Sequence, residues 1–257
     1  MALWVRFKDK QDVEGFGLLQ DEGSIRVYSG DMFDNPEPSG TSVPLSSVRL
    51  LTPSRPSKVI ALWNNFHAGA EKLKLAVPME PHYFLKAPNS YLNPFETIRK
   101  PRSSNGKVGF EGELGVVIGK TCKEIAESDA MSYVFGYTCV NDVWIFDLVN
   151  RNPAFPQWTR SKGFDTFCPM GPAVATGLDP ATLVVKSILN GQERQNYPIS
   201  DMIFSAAQLV SLISQDMTLY PGDIITCGTS IGAGSMKPGS TIEIEITGIG
   251  KLINTFE

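Results

Sequence analysis

The chain has 257 residues, 42% hydrophobic and 19% charged, the balance of a globular protein with enough interior for one or two packed domains. A formal net charge of -4 gives no electrostatic case for nucleic acid, no apolar run approaches the ~20 residues of a membrane span, and MALWVRFKDK lacks the apolar stretch of a signal peptide. Cys122, Cys139, Cys168 and Cys227 are far apart and form no C-x-x-C pair. Reduced, buried thiols in a cytoplasmic protein are the plain expectation, with two disulfides as the open alternative. A zinc cluster is disfavoured because only His67 and His82 are available to assist the thiols.

Residues 1–50 read as short strands (VRFKD, FGLLQ, SIRVYSG, VRLL) split by Gly, Asp and Pro. DNPEPSGTSVP, residues 34–44, is expected to be loop, and TPSRPSK, residues 52–58, marks a boundary. The expectation is a small β-rich N-terminal domain over 1–52 and a second domain over 53–257. VIALWNNF (59–66) reads as a buried strand and HAGAEKLKLA (67–76) as a helix of two or three turns. The following segment is too rich in Pro for a helix. GFEGELGVVIG (109–119) alternates and then becomes wholly apolar, as a strand entering a core does. KEIAESDAMSYV reads as a short helix, FGYTCVNDVW as a strand, and FSAAQLVSLISQD (204–216) as the clearest helix. PGD before IITCGT, and KPGS before TIEIEITGIG, read as hairpin turns. The sum is a β-rich α+β fold.

Three carboxylates stand out. In one continuous strand Glu111 and Glu113 share a face about 7 Å apart. That face continues as Gly115, Val117 and Gly119, so it is expected to be buried just beyond the two acids. An exposed strand edge is the commoner origin of an isolated E-x-E. Glu243 and Glu245 have the same spacing in a cleanly alternating strand and read as solvated. Asp142 lies within CVNDVWIF, where a carboxylate needs a partner. Three carboxylates without thiol or imidazole suit a hard cation such as Mg²⁺, Mn²⁺ or Ca²⁺. Gly228-Thr229-Ser230-Ile231-Gly232 matches G-x-S-x-G, yet neither a helix nor a later His follows it. A serine-hydrolase elbow is therefore rejected in favour of a Gly-rich ligand loop. His67 and Glu71, four apart on a helix, share a face and are a candidate general-base pair, or a surface ion pair.

The ordered segments GFEGELGVVIGK, VFGYTCVNDV, QWTRSKGFDTFCPMGP, PGDIITCGT and EIEITGIGKLIN resemble the fumarylacetoacetate hydrolase family over about residues 58–257. The resemblance implies a rolled, mixed β-sheet catalytic domain, usually a homodimer. It implies a Mg²⁺-type ion on Glu111, Glu113 and Asp142, the family lysine at Lys162, and the substrate loop at Gly228 and Thr229. The substrate class it implies is a 2-oxo or β-diketo acid. C–C bond hydrolysis through an enolate is the first expectation, and decarboxylation or tautomerisation of an oxaloacetate- or hydroxydienoate-type acid the alternative. The sequence departs from the family pattern in two places. Phe146 stands where an Arg is usual and Val149 where a Gln is usual. In Asn65–Glu71 the family His and Glu align only with an offset. Arg160 or Arg151 is then the candidate replacement for the missing positive charge on substrate. Trp144, Ile145 and Phe146 suggest a more apolar pocket wall. A diverged, non-catalytic binder of metal and 2-oxo acid is the remaining alternative.

Overall fold

The computed structural model describes all 257 residues. The N-terminal strands are β1 (Ala2–Lys8), β2 (Glu14–Leu19), β3 (Ser24–Asp31), β4 (Asp34–Pro44) and β5 (Arg49–Leu50). Then follow β6 (Val59–Trp63), α1 (His67–Leu73), β7 (His82–Lys86), β8 (Tyr91–Leu92), β9 (Thr97–Ile98), β10 (Val108–Phe110), β11 (Gly112–Ile118) and α2 (Glu127–Ala130). The middle of the chain forms β12 (Val134–Asn141), β13 (Trp144–Ile145), α3 (Phe146–Val149), α4 (Trp158–Lys162), β14 (Cys168–Thr176), β15 (Val184–Leu189) and β16 (Gln192–Pro198). The C-terminal part forms α5 (Ala206–Asp216), β17 (Ile224–Thr226), β18 (Gly234–Met236), β19 (Ser240–Ile246) and β20 (Gly250–Phe256).

These strands make three sheets. A 12-stranded sheet runs β4-β3-β2-β1-β14-β12-β11-β17-β6-β7, with β5 on β1 and β8 on β14. A 3-stranded sheet runs β13-β10-β18, and a 5-stranded sheet runs β16-β15-β19-β20-β9. Most pairings are antiparallel, while β17–β6, β14–β8 and β20–β9 are parallel. The fold is thus β-rich α+β with mixed sheets and a small N-terminal β domain.

The main core lies between the large and 5-stranded sheets and α5. It contains Leu114, Val116 and Ile118 of β11, Ile242 and Ile244 of β19, and Leu209 and Ile213 of α5. Ser205 caps α5 through a reciprocal box: its hydroxyl accepts from Gln208 N, and its own N–H donates to the Gln208 side chain. A separate cluster of Val5, Phe7, Ile25, Leu50 and Ala173 holds the N-terminal strands. All four cysteines are buried and free, as expected.

Three local expectations are corrected. Residues 34–44 are strand β4, not loop; β4 pairs only with β3 at the sheet edge and buries no residue fully. An edge strand tolerates prolines because half of its N–H groups need no partner, so its composition mimics a loop. The two Pro-Gly turns do not close hairpins. Residues 237–240 pass the chain from β18, which pairs with β10, to β19, which pairs with β15 and β20. The 221–223 turn leads into β17, which pairs with β11 and β6. The third correction, the break at Glu111, belongs to the site.

Candidate metal centre and its cavity

The segment 109–119 is not one strand. It leaves the 3-stranded sheet after Phe110 and enters the large sheet at Gly112, so Glu111 sits at the seam. Asn141 fixes the seam, its side-chain Oδ1 accepting from Glu111 N at 3.2 Å. Register places Gly112 opposite Asn141, and Asp142 N donates to Glu111 O at 2.9 Å. Antiparallel pairing therefore delivers Asp142 beside the two glutamates. Gly112 lets the sheets close: a Cβ there would lie 2.3 Å from Ser187 Oγ and 3.0 Å from Ile244 Cδ1. Its N–H donates to Gln195 Oε1 at 2.9 Å.

One oxygen from each of Glu111, Glu113 and Asp142 lies within 4.8 Å of the others. Glu113 is 1% exposed and Asp142 fully buried. Asp142 is paired twice: Lys86 Nζ donates to Oδ1 at 2.7 Å, and Lys162 Nζ donates to Oδ2. Lys162 also donates to Glu111 Oε2 at 2.6 Å. Glu113 has no ion-pair partner. Its Oε2 accepts only from the Thr226 hydroxyl and from Gly228 N, the latter at 2.9 Å.

The electrostatics follow from this uneven pairing. Burial, then the Asp142 charge, pushes the Glu113 carboxyl well above its ordinary range. Burial also raises Glu111, against the pull of Lys162. Asp142 is equally desolvated, but the two lysines outweigh that penalty and its carboxyl is lowered. Desolvation works against the Lys162 ammonium, yet Asp142, Glu111 and Glu113 together hold it protonated far above its usual range.

Three acids face two lysines, and Glu113 is the one without an ion-pair partner. An isolated buried carboxylate is costly unless a cation joins it. The donors are all oxygen, which fits a hard divalent ion such as Mg²⁺. By contrast, Glu243 and Glu245 stay partly exposed and share Lys251 at 3.3 Å, the solvated pair expected from the alternation.

Glu111 and Glu113 floor a cavity of about 300 Å³ whose lining includes Leu62, Phe66, Trp144, Phe146, Lys162 and Thr229. Gly228 binds Glu113 through its N–H, and Thr229 donates to Gly112 O at 3.1 Å and accepts from Gln195 Nε2 at 2.8 Å. Ser230, 6% exposed, also lines the cavity, and its hydroxyl has no partner.

His67, Glu71 and Arg160 are not brought to the centre. α1 turns Gly69, Ala70 and Leu73 toward the cavity, with Phe66 just before it. His67 and Glu71 do share a face, but it is the exposed one, and no hydrogen bond joins them. Arg160 and Arg151 are exposed and outside the lining. The residue missed from sequence is Lys86. It is buried at the end of β7 and also donates to Val143 O and Phe167 O. Its only signal was a lysine closing an aromatic-rich run, HYFLK.

A protein-family comparison matches residues 58–257 to the model described as fumarylacetoacetate (FAA) hydrolase C-terminal, and residues 3–53 to Rv2993c-like, N-terminal. Oxaloacetate tautomerase Fahd2a, mitochondrial, of Rattus norvegicus is 38% identical over 223 residues, covering 82% of this chain and 70% of that protein. The structure of 2-hydroxyhepta-2,4-diene-1,7-dioate isomerase from Mycobacterium marinum superposes with a TM-score of 0.90 at 36% identity, covering 100% of this chain and 98% of that one. That of 5-carboxymethyl-2-hydroxymuconate delta-isomerase from Mycobacterium smegmatis gives 0.91 at 36% identity, covering 100% and 99%. With residues 58–257 matched to the family model and a relative 38% identical over 82% of the chain, the chain belongs to the fumarylacetoacetate hydrolase family.

Proposed function

We propose that this chain is a divalent-metal-dependent isomerase of 2-oxo acids that interconverts enol and keto forms. The observation that carries the reading is the floor of the cavity: Glu111 and Glu113 with the buried Asp142 in reach of both, Glu113 without an ion pair, beside a fixed ammonium, under apolar walls. The isomerase and tautomerase names of the similar proteins support it over C–C hydrolysis.

Glu111, Glu113 and Asp142 would hold Mg²⁺ or Mn²⁺, which when bound supplies Lewis-acid stabilisation of an enolate. Lys162 adds a second positive charge at the same wall. Its carboxylate neighbours favour its protonated form, the form that stabilises negative charge. The free Ser230 hydroxyl is placed to donate to a substrate oxygen. Leu62, Phe66, Trp144 and Phe146 exclude water, which strengthens each of these interactions. Tautomerisation moves a proton between carbon and oxygen of one substrate and consumes no water.

The test follows the enol absorbance of an acylpyruvate with the Mg²⁺-loaded protein, while cleavage products are assayed in parallel. Enol loss is expected to accelerate, to stop with a chelator, and to release no stoichiometric cleavage product. Stoichiometric pyruvate would instead make the chain a hydrolase or decarboxylase.

A further inference from the structure

The cavity over the carboxylates does not end at Phe146. A groove of about 680 Å³ continues from it and shares Trp63, Leu75, Trp144 and Phe146 with it. The groove is walled by a run of rings. His82 stacks on Trp63 with centroids 6.1 Å apart, and Trp63 meets Trp158 at 5.6 Å. Trp158 stacks on Phe84 at 5.5 Å and 16°, and Trp144 lies 4.0 Å from Phe146. The run starts at the metal centre: Lys162 Nζ is 4.9 Å from the Phe84 centroid and 5.7 Å from that of Trp144.

Two further features show that the wall is built. Trp144 and Phe146 close against Gly109, where a Cβ would meet Trp144 Nε1 at 2.6 Å and Phe146 Cε2 at 2.7 Å. No buried cation is available in the groove. Lys162 is held by Glu111 and Asp142, Lys72 is exposed, and the Tyr83 hydroxyl donates to Asp216. His82 is the remaining titratable group of the lining, and it is exposed.

We propose that this groove is the subsite for the end of the substrate remote from its 2-oxo acid group, and that this end is an uncharged aromatic ring. The proposal rests on the metal-centre reading above. A flat ring entering between Trp158, Phe84 and the Trp144–Phe146 pair gains stacking beyond simple burial. A second carboxylate there would lose its hydration and find no buried cation. The substrate class therefore differs from the dioate and oxaloacetate in the names of the similar proteins.

Three probes with one metal-binding head test this on the Mg²⁺-loaded full chain by calorimetry: oxamate, its N-phenyl derivative oxanilate, and 4-carboxyoxanilate. Oxanilate is expected to bind at least about tenfold tighter than oxamate, the gain of burying one ring, and 4-carboxyoxanilate to lose most of that gain. Phe146→Arg is expected to reverse the order of the two aryl probes. The order in the unaltered protein decides even where that variant does not fold. Equal binding of oxamate and oxanilate, or tightest binding of 4-carboxyoxanilate, overturns the aromatic subsite while the metal centre stands. Binding of no probe, or binding indifferent to Mg²⁺, overturns the metal-centre reading and the subsite with it.

Discussion

At the scale of single residues, Glu113 links stability to metal. Its neighbours give it two hydrogen bonds but no ion pair. In metal-free protein its carboxyl binds a proton more tightly folded than unfolded, because burial raises it from 4.5. The stability it contributes is thus fully present below the unfolded value and is lost as pH rises through the folded one. Glu111 is raised as well and acts in the same direction. In chelator, the melting temperature is therefore expected to fall as pH rises above about 4.5. Glu113→Gln, which removes the charge while keeping an acceptor for Gly228 N–H, should flatten that fall and melt higher at pH 8. It should also weaken Mn²⁺ binding by about tenfold or more, roughly 1.4 kcal/mol. An unchanged Mn²⁺ affinity by calorimetry would remove Glu113 from the site. The three acids were legible in the sequence because a carboxylate among apolar residues breaks a pattern. Lys86 was not, because a lysine closing a strand is ordinary. Only the fold buries it against Asp142, 56 residues away.

At the scale of elements, the site depends on a strand that changes sheets. The sequence reading placed Glu111 and Glu113 on one face of a continuous strand, and both do converge, but through a break at Glu111 held by Asn141. Hydrophobic alternation sees burial on each side of such a break and not the break itself. α1 shows the same limit. Spacing correctly put His67 and Glu71 on a common face, but only the docking of Phe66, Gly69 and Ala70 decides which face is inward. The seam has a point of no tolerance at Gly112, wedged against Ser187 and Ile244. Gly112→Ala must push β11 away from the 5-stranded sheet and displace both glutamates. It is expected to cost about 1–3 kcal/mol, the range for overpacking, in denaturant unfolding, and to weaken Mn²⁺ binding. Adding Ser187→Gly, which removes the nearest atom, should recover part of both losses. A Gly112→Ala protein with unchanged stability and metal affinity would mean that the seam is soft.

At the scale of the whole molecule, the N-terminal strands are part of the sheet that holds the site. β1 pairs with β14 from Ala2 opposite Thr176 to Trp4 opposite Val174, and β14 pairs in turn with β12, whose end carries Asn141 and leads into Asp142. Trp4 packs on Phe135 of β12 at 6.1 Å. The segment 52–58, read from sequence as a boundary, is pinned on both sides. Arg6 donates to Thr52 O and Ser54 O, Ser54 donates to Gly222 O at 2.7 Å, and Ser57 donates to Asp223 at 2.7 Å. Removing residues 1–52 would leave the Val174–Thr176 end of β14 as a free edge and expose Ala173 and Val174, an invitation to edge-to-edge association. Although Glu111, Glu113, Asp142 and both lysines all lie beyond residue 58, the fragment 53–257 is expected to aggregate in size-exclusion chromatography with light scattering. Any soluble fraction should melt well below the full chain, because β14 loses its pairing with β1 over Val174–Thr176 and the packing of the N-terminal cluster. A monodisperse fragment with the melting temperature and Mn²⁺ affinity of the full chain would show that the catalytic sheet closes without its N-terminal strands. The first five strands would then have to be explained by something other than support of the site.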